Sequence, residues 1–354
     1  MIVESMLAPR RKLSDMITRS WPSFGEDGNP HPGFSPAWWL RGAHLQTMWG
    51  KLFRRQDLHP TRTGRWDTPD GDFLEAHHLD AAPGAPRLVL LHGLEGTIRS
   101  HYLQGLLTEA KRRGWGGSAL IFRSCGGEIN RTRRFYHSGE TGDLAFALER
   151  IATEFPDSPL LIAGISLGGN VLLKFLGERG TDVDPRVRAA AAISVPFDLG
   201  RSSRHIDVGF ARVYQRFFMK SLMKKTTAKL EQFPDLIDAG RLAGIRTIYD
   251  FDDNLTAPVH GFRDADDYYN QSSSLGWLHR IRINTLLLSS VDDPFLPREV
   301  LNEVRTIAAG NPALQLEFTS RGGHAGFVSG GNPFRPFYYA ERRVGDFLAE
   351  QLGS

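Results

Sequence analysis

Short apolar runs alternate with stretches of helical spacing through much of the chain. Runs of apolar or small residues occupy positions 88–91, 118–122, 160–165 and 189–195, and positions 285–289 and 314–318 repeat the pattern nearer the C-terminus. Stretches with helical spacing lie between them at 102–113, 141–155 and 168–177. Runs that are apolar throughout are typical of strands buried on both faces of a parallel sheet. The pattern therefore predicts an α/β fold, with a mostly parallel sheet covered by helices.

Residues 198–277 interrupt this alternation, and we interpret them as a helical cap (the cap segment) inserted into an α/β core of residues 65–197 and 278–354. Positions 201–230 carry eight basic residues and one acidic residue. Four cations recur at every fourth position opposite four apolar side chains, which predicts an amphipathic helix. The cations are Arg212, Arg216, Lys220 and Lys224, and the apolar residues are Tyr214, Phe217, Phe218 and Leu222. Such a basic face is either simply solvated or a surface that meets anionic lipid or an acidic substrate.

The first 64 residues differ from the rest in composition. Four prolines between positions 22 and 36 interrupt any long element, and aromatic residues are concentrated in the second half of this stretch. Large aromatic side chains are costly to leave in water, so we predict that residues 1–64 form an arm packed on the core. The prolines are Pro22, Pro30, Pro32 and Pro36, and the aromatic residues are Phe34, Trp38, Trp39, Trp49 and Phe53.

Overall composition limits the class of protein. The 354 residues are 41% apolar and 23% charged, which is ordinary for a globular chain and argues against disorder. The formal net charge of +3 is too small to indicate a nucleic-acid partner. The single cysteine, Cys125, excludes an internal disulfide and a zinc site built on several thiolates. No apolar run approaches the roughly 18 residues of a membrane span, and with the lone cysteine this favours a cytoplasmic location.

The segment from Gly164 to Gly168 has the pattern G-x-S-x-G, with Ser166 at its centre. An apolar run precedes it and a helical stretch follows. In this strand–turn–helix setting, small residues on both sides let a serine project above the sheet, as in the nucleophile elbow of α/β-hydrolases. We therefore predict that Ser166 is a nucleophile.

A nucleophilic serine needs a base and a carboxylate that orients the base, and α/β-hydrolases carry them in the order serine, acid, histidine. Asp292 and Asp293 follow the apolar run at 285–289, so they lie at the carboxyl edge of the sheet, and one of them is the predicted acid. His324 lies among three glycines after the last predicted strand, a context that packing does not explain, and it is the predicted base.

Acyl transfer also needs N–H donors that stabilise the oxyanion. Residues 91–96 follow the first apolar run, where an α/β-hydrolase supplies one donor. We predict the N–H of Leu94 as this donor and the N–H of Leu167, next to the nucleophile, as the other. His92 is expected to orient this loop through hydrogen bonds.

Five motifs together resemble the YheT-like esterases, a group of the α/β-hydrolases that also holds the mammalian ABHD-type lipases. The resemblance spans about residues 34–330. The motifs are FSPAWWLRGAHLQT (34–47), HGLEGTIRSHY (92–102), FRSCGGEIN (122–130), YHSGETGD (136–143) and GISLGGNVLLK (164–174). The family places its acid four residues before a position matched here by Pro297, which selects Asp293 over Asp292. The motif around Cys125 departs slightly from the family's usual Cys-Ser-Gly-Glu.

The resemblance implies an α/β-hydrolase fold with an eight-stranded, mostly parallel sheet. It also implies a serine carboxylesterase acting on short-chain or monoacylglycerol-like esters, with a triad of Ser166, Asp293 and His324. Such an enzyme needs no metal or organic cofactor. The expected partner is a small-molecule ester, with no nucleic acid, and the basic helix is a candidate contact with anionic membrane.

Two alternatives stay open. Acyl transfer or thioester hydrolysis could use the same triad, although no histidine here is followed five positions later by aspartate, so the H-x4-D pattern of some acyltransferases is missing. A non-catalytic module that binds a membrane surface is the other, and the full set of catalytic residue types argues against it.

Overall fold

A computed structural model of the protein describes residues 23–24, 30–31, 33–54, 58–59 and 61–353. Residues 1–22 and a few others of the predicted arm lie outside this range. Each predicted core strand and helix corresponds to an observed element, and its ends lie within two residues of the observed ends. The sheet strands are β1 (Arg62–Asp67), β2 (Phe73–Leu79), β3 (Arg87–Leu91), β4 (Gly116–Ile121), β5 (Leu160–Ile165), β6 (Val187–Ile193), β7 (Thr285–Ser290) and β8 (Leu314–Thr319).

These eight strands form one sheet in the order β8-β7-β6-β5-β3-β4-β2-β1. β2 runs antiparallel to both of its neighbours, and every other pair is parallel. The eight-stranded, mostly parallel sheet is therefore confirmed. The loops that follow β3, β5, β7 and β8 emerge at one edge of a parallel sheet, which is where such sheets carry their sites.

Helices cover both faces of the sheet. Successive side chains of β3 alternate between two apolar cores: Val89 and Leu91 pack with one, and Leu88 and Leu90 pack with the other. The first core is completed by α3, α4 and α11, and the second by α2 and α12. The bounds of these helices are α2 (His101–Arg112), α3 (Thr141–Glu154), α4 (Leu167–Arg179), α11 (Arg298–Ala309) and α12 (Tyr339–Glu350).

The cap segment is helical, and α6 is its longest element. Met219, Leu222 and Phe251 belong to an apolar cluster within it. The helices are α5 (Leu199–His205), α6 (Arg212–Gln232), α7 (Ala239–Gly244), α8 (Ile248–Phe251), α9 (Ala257–His260) and α10 (Ala265–Ser272), with a π-helical turn at Asp252–Thr256 and 3-10 helices at Gly209–Ala211 and Leu275–Arg280. The division of the chain at residues 64, 197 and 277 stays a prediction.

The orientation of α6 differs in part from the sequence expectation. The four periodic cations are exposed and Leu222 is buried, as predicted. Phe217, assigned to the apolar face, is instead 53% exposed, and the Lys51 ammonium lies 3.1 Å from the centre of its ring. The inward stripe runs through Gln215 and Met219. Phe217 lies two positions from each, so its side chain points away from the core.

The described part of the arm packs through α1 (Ala43–Phe53) and the turn before it. The Gln46 amide is buried; its nitrogen donates to the Val328 carbonyl and its oxygen accepts from the Val328 N–H. Not all the aromatic residues are covered, however, because Trp38 is 66% and Phe53 is 61% exposed. None of the helices in the described ranges has both the length and the apolar character needed to cross a bilayer.

Candidate active site

Ser166 occupies a sharp turn between β5 and α4, with φ 53° and ψ −120°. Left-handed φ values are unfavourable for serine, so this conformation is strained. Two glycines make the turn possible. A Cβ at Gly168 would lie 2.5 Å from the His92 carbonyl oxygen, and one at Gly164 would lie 2.5 Å from the Gly168 carbonyl oxygen. The G-x-S-x-G pattern thus reflects close backbone contact, and Ser166 itself lines a cavity.

His324 and Asp293 are hydrogen-bonded, with 2.8 Å between Nδ1 and the Asp293 Oδ2. The Asp293 side chain is fully buried, and its other oxygen accepts from the Phe295 N–H at 2.8 Å. The neighbouring Asp292 accepts from the Gly323 N–H at 2.9 Å. The two carboxylates therefore have different partners: Asp293 contacts the imidazole and Asp292 contacts the backbone of the His324 loop.

The His324 loop is fixed by contacts from distant parts of the chain. The His324 N–H donates to the Thr47 hydroxyl of α1, and the Ala325 N–H donates to the Ser194 hydroxyl, both at 2.9 Å. The Phe295 ring stacks on the imidazole with 4.1 Å between centroids. Sequence reasoning missed these residues, because nothing in the pattern links positions 47 and 194 to the loop.

Ser166 and His324 line the same cavity. No hydrogen bond between the Ser166 hydroxyl and His324 is present among the residues described. Hydrogen bonds of this kind often shorten only when substrate binds, so the arrangement is compatible with proton transfer between them.

The loop after β3 brings Leu94 to the cavity. The Gly93 N–H donates to the Tyr102 hydroxyl at 3.1 Å and the Glu95 N–H to the Tyr136 hydroxyl at 2.9 Å. Within the described ranges, no hydrogen bond uses the N–H of Leu94 or of Leu167, the first residue of α4. Both residues line the cavity beside Ser166. Free N–H groups at such a position can stabilise negative charge.

His92 fixes the backbone of this loop. Its side chain is fully buried, and burial lowers its pKa to about 4, which keeps the ring neutral at neutral pH. A neutral ring can accept and donate at once. Nε2 accepts from the Phe122 N–H at 3.1 Å, so Nδ1 carries the proton and donates to the Gly93 carbonyl at 2.7 Å.

Glu95 connects the loop to the cap segment. Its buried carboxylate accepts from Lys225 Nζ at 2.8 Å, from the Tyr136 hydroxyl at 2.8 Å and from the Ser221 hydroxyl. The Lys225 ammonium also lies 3.0 Å from the Cys125 Sγ. Cys125 is buried, and burial raises its pKa to about 11, so it is a thiol at neutral pH. The sequence grouped Lys225 with the basic segment and gave no sign of this inward contact.

Replacement of Lys225 by methionine should lower the free energy of unfolding by about 3 kcal/mol. The change keeps the length of the side chain but leaves the Glu95 carboxylate buried without its cation. Urea denaturation would measure the loss. Lys224→Met is the matched control, because Lys224 is adjacent and exposed, and its change should be under about 0.5 kcal/mol. Equal stability of the two variants would contradict the importance of the Glu95–Lys225 pair.

Apolar side chains from the cap segment form much of the cavity wall. Phe218 and Leu222 of α6 face it, together with Ile248 and Phe251 of α8. Asp252 also lines the cavity, and burial raises its pKa to about 6. The cavity therefore offers an apolar chamber with a few polar groups, as small-molecule sites usually do.

One group of side chains in the described ranges has metal-ligand geometry. The ligand atoms of His137, Glu140 and His260 all lie within 4.8 Å of one another. Burial lowers the pKa of His137 to about 3, so its imidazole is neutral. However, Glu140 forms an ion pair with Arg134, which neutralises the only anionic ligand. We interpret the group as one that holds the 134–140 loop. Tyr136 and His137 of this loop also line the cavity.

Comparisons with known proteins agree with this architecture. Residues 86–330 match the family described as the alpha/beta hydrolase fold. The chain is 40% identical over 324 residues to "Putative esterase YheT" of Escherichia coli (strain K12), an alignment covering 90% of this chain and 94% of that protein. It is 30% identical over 329 residues to phospholipase ABHD3 of Bos taurus, covering 90% and 79%.

A solved structure shares the fold. The Pyrococcus furiosus esterase Pf2001 superposes with a TM-score of 0.56 at 16% identity, covering 83% of this chain and 92% of that one. The resemblance to the YheT-like and ABHD-type proteins is confirmed. The chain therefore belongs to the α/β hydrolase family, within its esterase and lipase branch.

Proposed function

We propose that the protein is a serine carboxylesterase that uses Ser166, His324 and Asp293 as its catalytic triad. The observation that carries this proposal is the convergence at one cavity. A strained serine, an imidazole bonded to a buried carboxylate and two residues whose N–H groups form no hydrogen bond within the described ranges all line it. Each is a component that acyl transfer requires, and together they leave no essential role unfilled.

In the proposed mechanism, the neutral imidazole of His324 takes the proton of Ser166 as the hydroxyl attacks the ester carbonyl. Asp293 holds the ring orientation and stabilises the imidazolium that forms. The N–H groups of Leu94 and Leu167 stabilise the oxyanion of the tetrahedral intermediate. His324 then protonates the leaving alcohol, and water attacks the acyl-enzyme by the same route.

The apolar cavity wall favours substrates with a hydrocarbon acyl chain. We propose short-chain or monoacylglycerol-like esters as the substrate class, which agrees with relatives named as an esterase and a phospholipase. The order of kcat/KM along a series of p-nitrophenyl esters, from acetate to dodecanoate, would define the chain length that the cavity accepts.

Reaction with a fluorophosphonate probe tests the mechanism directly. The native protein should form a covalent adduct, and mass spectrometry should locate it on the peptide containing Ser166. Only a serine activated by its folded surroundings reacts readily with such a probe. Heat-unfolded protein is the control and should stay unlabelled. A folded protein that neither reacts at Ser166 nor hydrolyses p-nitrophenyl butyrate would refute the proposal.

A further inference from the structure

The cap segment exposes several apolar side chains close together, beside the start of α6. Two of these side chains contact α1: the Phe210 ring lies 4.5 Å from the ring of His44, and the Phe217 ring lies under the ammonium group of Lys51. We call this region the docking surface. Its exposed apolar side chains are Val208 (68%), Phe210 (52%), Val213 (48%) and Phe217 (53%) from the cap segment, and Leu45 (51%) and Leu52 (57%) from α1.

Six exposed apolar side chains on two elements that contact each other are unusual on a protein that meets only water. The patch also adjoins unpaired positive charge. Arg212 forms a long ion pair with Asp207, with 3.5 Å between the charged atoms. In contrast, Arg216, Lys220 and Lys224 are exposed and form no ion pair with any residue in the described ranges. The combination is that of a helix lying in the plane of an anionic membrane surface, with apolar side chains inserted and cations at the headgroups.

Aromatic contacts connect the docking surface to His324. Ring centroids lie 6.0 Å apart between Phe210 and Tyr214, 4.9 Å between Tyr214 and Phe295, and 4.1 Å between Phe295 and His324. Phe218, on the same helix, lines the cavity. A bilayer on the docking surface would therefore lie within a few side chains of the cavity, which favours the passage of an ester from the lipid into it.

We propose that the docking surface binds the surface of anionic lipid bilayers and presents the cavity to esters dissolved in them. The binding step is independent of the reaction, and the delivery of substrate rests on the proposed esterase function. Charge complementarity selects this occupant, because a zwitterionic or neutral partner would leave the free cations of α6 without counterions.

Sedimentation with vesicles tests the binding step. The protein should pellet with vesicles of phosphatidylglycerol and phosphatidylcholine, should pellet much less with phosphatidylcholine alone, and should lose binding as salt is raised. Arg216→Gln with Lys220→Gln should weaken partitioning by roughly fivefold for each cation removed. Val213→Ser with Phe217→Ser should weaken it by about tenfold or more, since two inserted side chains are lost.

Matched controls separate this effect from general charge and from folding. Lys111→Gln with Arg188→Gln removes two exposed cations, at the end of α2 and in β6, and should bind like the parent protein. None of the substituted side chains lines the cavity, so every variant should hydrolyse soluble p-nitrophenyl butyrate at the parental rate.

Three results would overturn the proposal. Equal binding to both vesicle types would remove the role of charge, and parental binding by the α6 variants would place any membrane contact elsewhere, for example on residues 1–22. A dimer in sedimentation velocity that Val213→Ser with Phe217→Ser dissociates would assign the surface to a second copy of the chain. In each case, retained hydrolysis of soluble ester would leave the proposed esterase function standing.

Discussion

Replacement of Ser166 by alanine should reduce kcat for p-nitrophenyl butyrate by about 10⁴-fold or more. The alanine keeps the elbow but removes the only oxygen that can form the acyl-enzyme. The loss should lie in kcat, because the cavity and the two N–H donors remain to bind the ester. Steady-state kinetics on the purified variant would measure it.

The fold should survive this change, so circular dichroism and urea denaturation should match the parent protein within about 1 kcal/mol. Removal of the Ser166 hydroxyl, which lines the cavity, takes no hydrogen-bond partner away from any buried group in the described ranges. Thr153→Ala removes an exposed hydroxyl from α3 and should leave kcat unchanged. If Ser166→Ala retained the parental rate of hydrolysis, the nucleophile would have to be another group.

Adjacent aspartates allow a similar test of the acid. Asp293→Asn should lower kcat by about 10³- to 10⁴-fold, because an amide can hold His324 in the wrong tautomer and cannot stabilise the imidazolium. Asp292→Asn should lower kcat by less than about tenfold, because the amide oxygen can still accept the hydrogen bond from the Gly323 N–H. The comparison of kcat in the two variants separates the roles of two residues that differ by one position.

The two asparagine variants also test whether Asp293 holds His324 in the tautomer that catalysis needs. Because Asp293 acts through His324, its asparagine variant should lose most activity while still reacting slowly with the fluorophosphonate probe at Ser166. A larger loss in Asp292→Asn than in Asp293→Asn would assign the acid to Asp292 and contradict the proposed triad.

Much of the core could be predicted from the sequence because the responsible forces are local. A strand buried on both faces must be apolar throughout, so 88–91 and 160–165 were recognisable without partners. The elbow was recognisable for a similar reason, since the close approach of Gly168 to the His92 carbonyl admits no side chain. His324 stood out because its glycine-rich surroundings are unsuited to packing.

Contacts between distant segments were harder to predict. Thr47 and Ser194 bond the backbone of the His324 loop, yet a single hydroxyl has no periodic pattern that would reveal it. The sequence predicts a basic and an apolar face for α6, but it does not reveal that Lys225 turns inward to Glu95 or that Phe217 turns outward to solvent. A side chain's direction on a helix depends on what the helix packs against, and a rotation of about 100°, the angle between successive residues, is enough to move a charge between interior and surface.

By itself, the sequence determined the fold class, the eight-stranded sheet through family resemblance, and the candidate nucleophile and base, because burial and tight turns restrict which residue types can occupy a position. The resemblance also selected Asp293 as the acid, but only the tertiary structure showed its contact with His324, how the loop carrying Leu94 is anchored, and which face of α6 is exposed. Those features depend on distances between segments far apart in the chain, and hydrogen bonds and ion pairs form only when folding brings such groups within about 3 Å.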